Sequence, residues 1–239
     1  RGAAYLFLKD TTKALADYNQ AIRIDRYEPE GYIRRARIYS DRKEYSKAVE
    51  DLDMAIKLDS TSTFAFFNRA LINFELKNYI SAMSDFDIVL QQDPGNALTL
   101  YNRSLIYAQV GEYDKAIEDM DRVININPDN VLAHYNRAAV FVEMNRLDDA
   151  LEDYNKAIEL YPDFAKAYLN RSYVENMLGR QRESRADYLI AQQKVKEYRE
   201  KSSETSFADT TRRYNSLIAL DADFAKKNFS ILFGCVHYQ

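Results

Sequence analysis

An arginine recurs every 34 residues, at Arg1, Arg35, Arg69, Arg103, Arg137 and Arg171. An aspartate keeps the same period at Asp17, Asp51, Asp85, Asp119, Asp153 and Asp187, 16 residues after each arginine and 18 before the next. A guanidinium facing a carboxylate could belong to an acid–base centre, an anion-binding ladder or a structural ion pair. A catalytic dyad need occur only once, and this one is repeated along the whole chain. On a helical wheel each arginine lies beside a small-residue column (Gly2, Ala36, Ala70, Ser104, Ala138, Ser172) that faces the core. Its stem should therefore be buried, and a buried guanidinium demands a carboxylate. The preferred reading is structural: Arg35–Asp51, Arg69–Asp85, Arg103–Asp119, Arg137–Asp153 and Arg171–Asp187 stitch stacked helices together.

A second column precedes the arginines: Asn68, Asn102, Asn136 and Asn170, with Arg34 in the equivalent earlier place. One residue back on a helix is a rotation of about 100°, which turns these amides away from the core and toward a free face. A carboxamide carries a donor and an acceptor, matching the N–H and C=O of a peptide bond. The alternative is local, with each Asn capping or bracing a neighbouring helix. Large apolar residues share that face, including Phe64, Phe67, Leu98, Tyr101, Leu132, Tyr135, Leu169 and Tyr173. An apolar second face usually means a partner, a second copy, or the chain's own tail.

Other chemistry is sparse. The two histidines, His134 and His237, and the single Cys235 form no nucleophile or metal-ligand spacing, and no CxxC, HExxH or glycine-rich phosphate loop occurs. The expectation is a protein that is not an enzyme, with no metal and no cofactor. A net charge of -4 without a Lys/Arg cluster argues against a nucleic-acid partner. No apolar run is long enough for direct membrane insertion.

The elements that must position these columns follow from the same period. Small residues recur at Ala14, Ala48, Ala82, Ala116, Ala150 and Ser184, and large ones at Tyr18, Leu52, Phe86, Met120, Tyr154 and Tyr188. Pro94, Pro128 and Pro162 close successive units, and Gly111, Asn145 and Gly179 mark a turn inside three of them. Six glycines and four prolines in 239 residues leave little room for a turn-rich β fold. Each unit reads as two helices joined by a short turn, burying its face only against its neighbours.

On these columns the chain resembles the tetratricopeptide-repeat family: the small positions match at Ala138, Ala150 and Ala157, the aromatic at Phe141 and the proline at Pro162. His134 stands where that family often has tryptophan, and the chain contains none. The resemblance implies an all-α right-handed superhelix, an α-solenoid of antiparallel helix pairs with a C-terminal capping helix. Units are expected at 29–62, 63–96, 97–130, 131–164 and 165–198, after a partial unit at 1–28. A polar linker over 199–206 and a capping helix and tail over 207–239 should follow.

In that family the first helices line a concave surface. Asparagine ladders like this one resemble those of the array attached to O-linked N-acetylglucosamine transferases, where they hold extended peptide. The resemblance implies a scaffold that binds a protein or peptide ligand through Asn68, Asn102, Asn136 and Asn170, with Phe67, Tyr101, Tyr135 and Tyr173 supplying contacts. Two alternatives stay open: a homo-oligomer whose groove is filled by its own tail or a second copy, and the targeting arm of a larger enzyme. The carboxylate clamp of co-chaperone members is not matched, because its Lys/Asn places hold Ile33 and Arg37, Phe67 and Leu71, or Tyr101 and Leu105.

Overall fold

The computed structural model describes residues 2, 5, 8 and 10–204, with side chains described as far as Tyr198. Arg1, Cys235, His237 and the capping helix and tail expected over 207–239 lie outside the described residues. From Thr11 onward the described residues form eleven helices and no strand. The helices are α1 (Thr11–Ile24), then the pairs α2 (Pro29–Asp41) and α3 (Tyr45–Leu58), α4 (Thr63–Glu75) and α5 (Tyr79–Gln92), and α6 (Ala97–Gln109) and α7 (Tyr113–Ile126). They continue with α8 (Val131–Glu143) and α9 (Leu147–Leu160), then α10 (Ala165–Met177) and α11 (Gln181–Glu204).

The lengths are regular because the stop signals are. Each first helix has 13 residues, and α3, α5, α7 and α9 have 14 each. Every first helix ends two residues before a left-handed residue: Lys43, Lys77, Gly111, Asn145 or Gly179. In the first three turns the next amide donates back over five residues, as Glu44 N–H to Tyr39 O (2.8 Å), Asn78 N–H to Asn73 O (2.8 Å) and Glu112 N–H to Tyr107 O (2.9 Å). This is the bond that closes a left-handed C-terminal cap. Glycine takes that conformation without strain; Lys43 and Lys77 hold it with a Cβ. At the other end, Ser62, Asn96 and Asn130 side chains accept the amides of Ala65, Thr99 and Ala133.

The chain divides into two compact units, Arg1–Ala133 and His134–Gln239. In the first, α1 packs on α2, and each first helix packs on its own second helix, α2 on α3, α4 on α5 and α6 on α7. Successive pairs join through α3 with α4 and α5 with α6. In the second unit α9 packs on α10 and α10 on α11. The small columns make the close approach possible: Ala14, Ala48, Ala82, Ala116 and Ala150 are fully buried. Leu52, Phe86, Met120 and Tyr154 fill the space beside them, each burial worth about 1.5–3 kcal/mol.

The expected linker is one place where the structure differs. The polar run from Arg199 is helical as far as Glu204, which makes α11 24 residues long. Its Glu, Lys and Arg residues are good helix formers, and nothing before Glu204 breaks the pattern.

Candidate functional site

Each arginine of the repeated pair sits on a first helix and its aspartate on the following second helix. Arg35 donates from Nε to Asp51 Oδ2 (2.8 Å) and from Nη2 to Asp51 Oδ1 (2.6 Å). The same two-pronged bond joins Arg69 to Asp85, Arg103 to Asp119, Arg137 to Asp153 and Arg171 to Asp187, all between 2.6 and 2.9 Å. The aspartates are buried, whereas the arginine side chains stay 16–22% exposed. The fork therefore closes a repeat on itself rather than onto the next one. Its bidentate geometry occupies the edge with which a guanidinium would grip an external anion.

Stacking between repeats uses a third nitrogen and a column that the sequence reading passed over. Nη1 reaches back 16 residues to the preceding second helix: Arg35 to Asn19 (2.7 Å), Arg69 to Asp53 (2.6 Å), Arg103 to Asp87 (2.8 Å) and Arg171 to Asn155 (2.6 Å). These partners also recur every 34 residues, two places after the buried aspartates, so the signal was present in the spacing. Tyr39, Tyr107 and Phe141, one helical turn beyond the arginines, lie 5.9, 5.6 and 5.8 Å from the guanidinium carbons of Arg35, Arg103 and Arg137. Donating to Asp85, Asp119 and Asp187 raises the already high pKa of Arg69, Arg103 and Arg171.

His134 joins one fork. Its Nδ1 lies 2.9 Å from Asp153 Oδ1, and both residues are buried. Burial alone would push the Asp153 carboxyl up, but Arg137 and His134 outweigh it and hold it below the usual carboxylate value. The aspartate is thereby fixed as an anion, and the imidazole fills the place of a packing tryptophan with a polar tie.

Two repeats depart from the aromatic pattern, the one of α4 with Asn73 and the last. Glu175 occupies the column of Tyr39, Tyr107 and Phe141, is 9% exposed, and its Oε2 is buried without a hydrogen-bond partner. Burial, then the nearby Asp187, pushes its pKa up, with Arg171 pulling the other way.

The asparagine column does not lie on a free face throughout. Asn68 and Asn170 are half-buried, but Asn102 and Asn136 are only 3% and 1% exposed. Asn68 Nδ2 donates to Phe64 O and Asn102 Nδ2 to Leu98 O, each at 2.7 Å, one turn back on its own helix. Asn170 Nδ2 instead donates to the Tyr135 hydroxyl (2.9 Å) and lies 3.4 Å from that of Tyr154. Of the apolar residues, Tyr101 and Tyr135 are buried, with Tyr135 packed between the rings of Tyr154 and Phe164 (5.7 and 4.7 Å). Phe67 leans on Phe86 (5.8 Å), and Tyr173 is half-buried. The wheel failed here because a first helix has more than one partner. α6 touches α4, α5 and α7, so a rotation of 100° from the core brings Asn102 to another packed surface.

What remains open on the first helices is the residue four places before Asn68 and Asn102, whereas the equivalent Leu132 is buried. Phe64 is 58% exposed and Leu98 51% exposed, at the same place in successive repeats. Among the described residues, no group of three or more His, Cys, Asp or Glu side chains is placed to hold a metal ion. No described helix is long and apolar enough to cross a membrane.

Family models described as tetratricopeptide repeat match residues 131–164 and, in two adjoining copies, 1–28 and 29–62. A third, described as TPR repeat, matches 105–145. No curated protein sequence matches the chain. Among solved structures, MamA is 25% identical with a TM-score of 0.64, over 69% of this chain and 96% of that one. YrrB, described as a TPR protein with an unusual peptide-binding site, is 19% identical with a TM-score of 0.63, over 74% and 91%. A tetratricopeptide repeat protein from Parabacteroides merdae is 22% identical with a TM-score of 0.69, over 78% and 74%. With its 34-residue columns, its consecutive helix pairs and matches spanning 1–62 and 105–164, the chain belongs to the tetratricopeptide-repeat family.

Proposed function

We propose that the chain is a non-catalytic scaffold that binds an extended, partly apolar peptide or protein segment along its first helices. The observation that carries this reading is the pair Phe64 and Leu98, large apolar residues more than half exposed at equivalent places of neighbouring repeats. Scattered single exposures need no explanation, but two in register on successive repeats form a repeated docking feature. Asn68 and Asn102 act from beneath: each holds the carbonyl of the exposed residue and so fixes the backbone that presents it. Half-buried Asn68 and Phe67 stand at the rim of the contact, and buried Asn102 and Tyr101 support it. YrrB, with its peptide-binding site, supports the class of function for a chain of this fold.

The test uses peptides selected from a displayed random library on the intact chain. Their affinity is then measured by calorimetry for the wild type and for Phe64→Ser/Leu98→Ser. Both side chains are exposed, so the melting temperature should hold while affinity falls at least about tenfold, or 1.4 kcal/mol. Equal affinity in the double variant would remove the first-helix face from the proposal.

A further inference from the structure

Little apolar surface holds α11 in place. Of its described side chains only Asp187 and Ala191 are buried, whereas α9, one repeat earlier, buries Ala150, Leu151, Asp153, Tyr154, Ala157 and Ile158. Among the described residues its main packing is on α10. The ties between them are polar: the fork of Arg171 on Asp187, and Ser172 Oγ donating to Ser184 O (2.8 Å). Further along, Lys194 Nζ meets the exposed Asp163 carboxylate at 2.8 Å. A helix with few buried apolar contacts belongs to the part of a protein that opens locally at low cost.

Glu175 sits at this joint. It lies near the end of α10, and the Arg180 amide of the following turn donates to its backbone carbonyl (2.8 Å). Its side chain is nine-tenths buried, in the place that Tyr39, Tyr107 and Phe141 hold elsewhere, and Oε2 has no hydrogen-bond partner. An ionised carboxylate buried in that state is costly, and a bound proton is the smallest group that removes the charge. The neighbouring charges do not remove it. From α11, Asp187 and Glu183 repel an anion, while Arg171 of α10 and Arg180 of the turn attract it. Both cations are already engaged: Arg171 by Asp187 and Asn155, and Arg180 by Asp148 of α9 at 3.5 Å.

We propose that Glu175 is a proton-operated latch on α11: with its carboxyl protonated α11 lies closed on α10, and loss of that proton opens α11 from α10 as a unit. In the open form Glu175 faces water and has its ordinary affinity for the proton. In the closed form burial, then Asp187, raises that affinity. The closed form is therefore fully favoured below the ordinary glutamate range and weakens as pH rises through the raised value. Opening would uncover Ala191 and the Ser172 side of α10, so this end of the described array would present one surface in acid and another in neutral solution.

The test is amide hydrogen exchange on the full chain, wild type against Glu175→Gln, between about pH 4.5 and about pH 8, a range that starts near the ordinary glutamate value. Comparing the two proteins at each pH cancels the intrinsic pH dependence of exchange. Peptides from α11 should exchange equally in both at the acid end, and at least about fivefold more slowly in the variant at the alkaline end. In the wild type at the alkaline end α11 should also exchange faster than α6. Glu175→Tyr, which restores the residue of α2 and α6, should abolish the pH dependence in the same way. A ratio that stays flat with pH in either variant would overturn the proposal. Exchange of α11 no faster than that of α6 would overturn it equally, because α11 would then not open by itself.

Discussion

Arg103 and Asp119 meet across a helix pair with two parallel bonds, Nε to Oδ2 and Nη2 to Oδ1, each 2.8 Å long. The same guanidinium donates from Nη1 to Asp87 of the preceding repeat at 2.8 Å. One side chain thus carries two contacts of different worth. Asp119 is buried, whereas the Asp87 side chain is half-exposed.

Breaking the first should therefore cost far more than breaking the second. Asp119→Asn leaves a largely buried guanidinium without its carboxylate and should destabilise by about 3–5 kcal/mol. Asp87→Asn removes an exposed pair and should cost about 0–1 kcal/mol. Urea denaturation of both variants decides it. Equal losses would mean that burial does not control the value of these bonds.

Glu175 sets a pH dependence opposite to that of Asp153. Its folded-state pKa is raised by burial and by Asp187, so its stabilising contribution is fully present below the ordinary glutamate range. That contribution is lost as pH rises through the raised value. Glu175→Gln cannot ionise, so it should melt higher than the wild type at neutral pH and match it near about pH 4. Asp153, held low despite its burial, works the other way: its fork with Arg137 and His134 stabilises above the usual carboxylate range and is lost on acidification. A Glu175→Gln advantage that is constant with pH would place the raised pKa elsewhere.

Lys77 holds φ of 62° at the end of α4, where the equivalent residues Gly111 and Gly179 lie at 83° and 75°. A left-handed conformation costs a residue bearing a Cβ about 1 kcal/mol, and glycine avoids that strain. Its own chain entropy offsets part of the gain. Lys77→Gly, at an exposed turn, is expected to raise stability by about 0.5 kcal/mol, read from the denaturation midpoint. A lower midpoint would show that the lysine stem contributes more than the strain takes away.

The 34-residue period marked the first-helix starts at Pro29, Thr63, Ala97, Val131 and Ala165, because a proline or capping residue and a small-residue column repeat with it. It also gave the partners Arg103 and Asp119, since a buried guanidinium and a strict carboxylate column have few other uses. Asn102 was misplaced by the same period. A helical wheel describes one helix and its own core, but α6 packs against α4 and α5 as well as α7.

The sequence by itself determined the all-helical repeat, its turns and the pairs that tie its helices, since each depends on residue type at a fixed local spacing. Tertiary structure alone decided which side chains water can reach. It buried Asn102, Asn136, Tyr101 and Tyr135, left Phe64, Leu98 and Tyr188 open, and sent the third arginine nitrogen to Asp53 and Asp87. Exposure is a property of all neighbours at once, and in a stacked array most of a helix's neighbours lie a full repeat away in sequence.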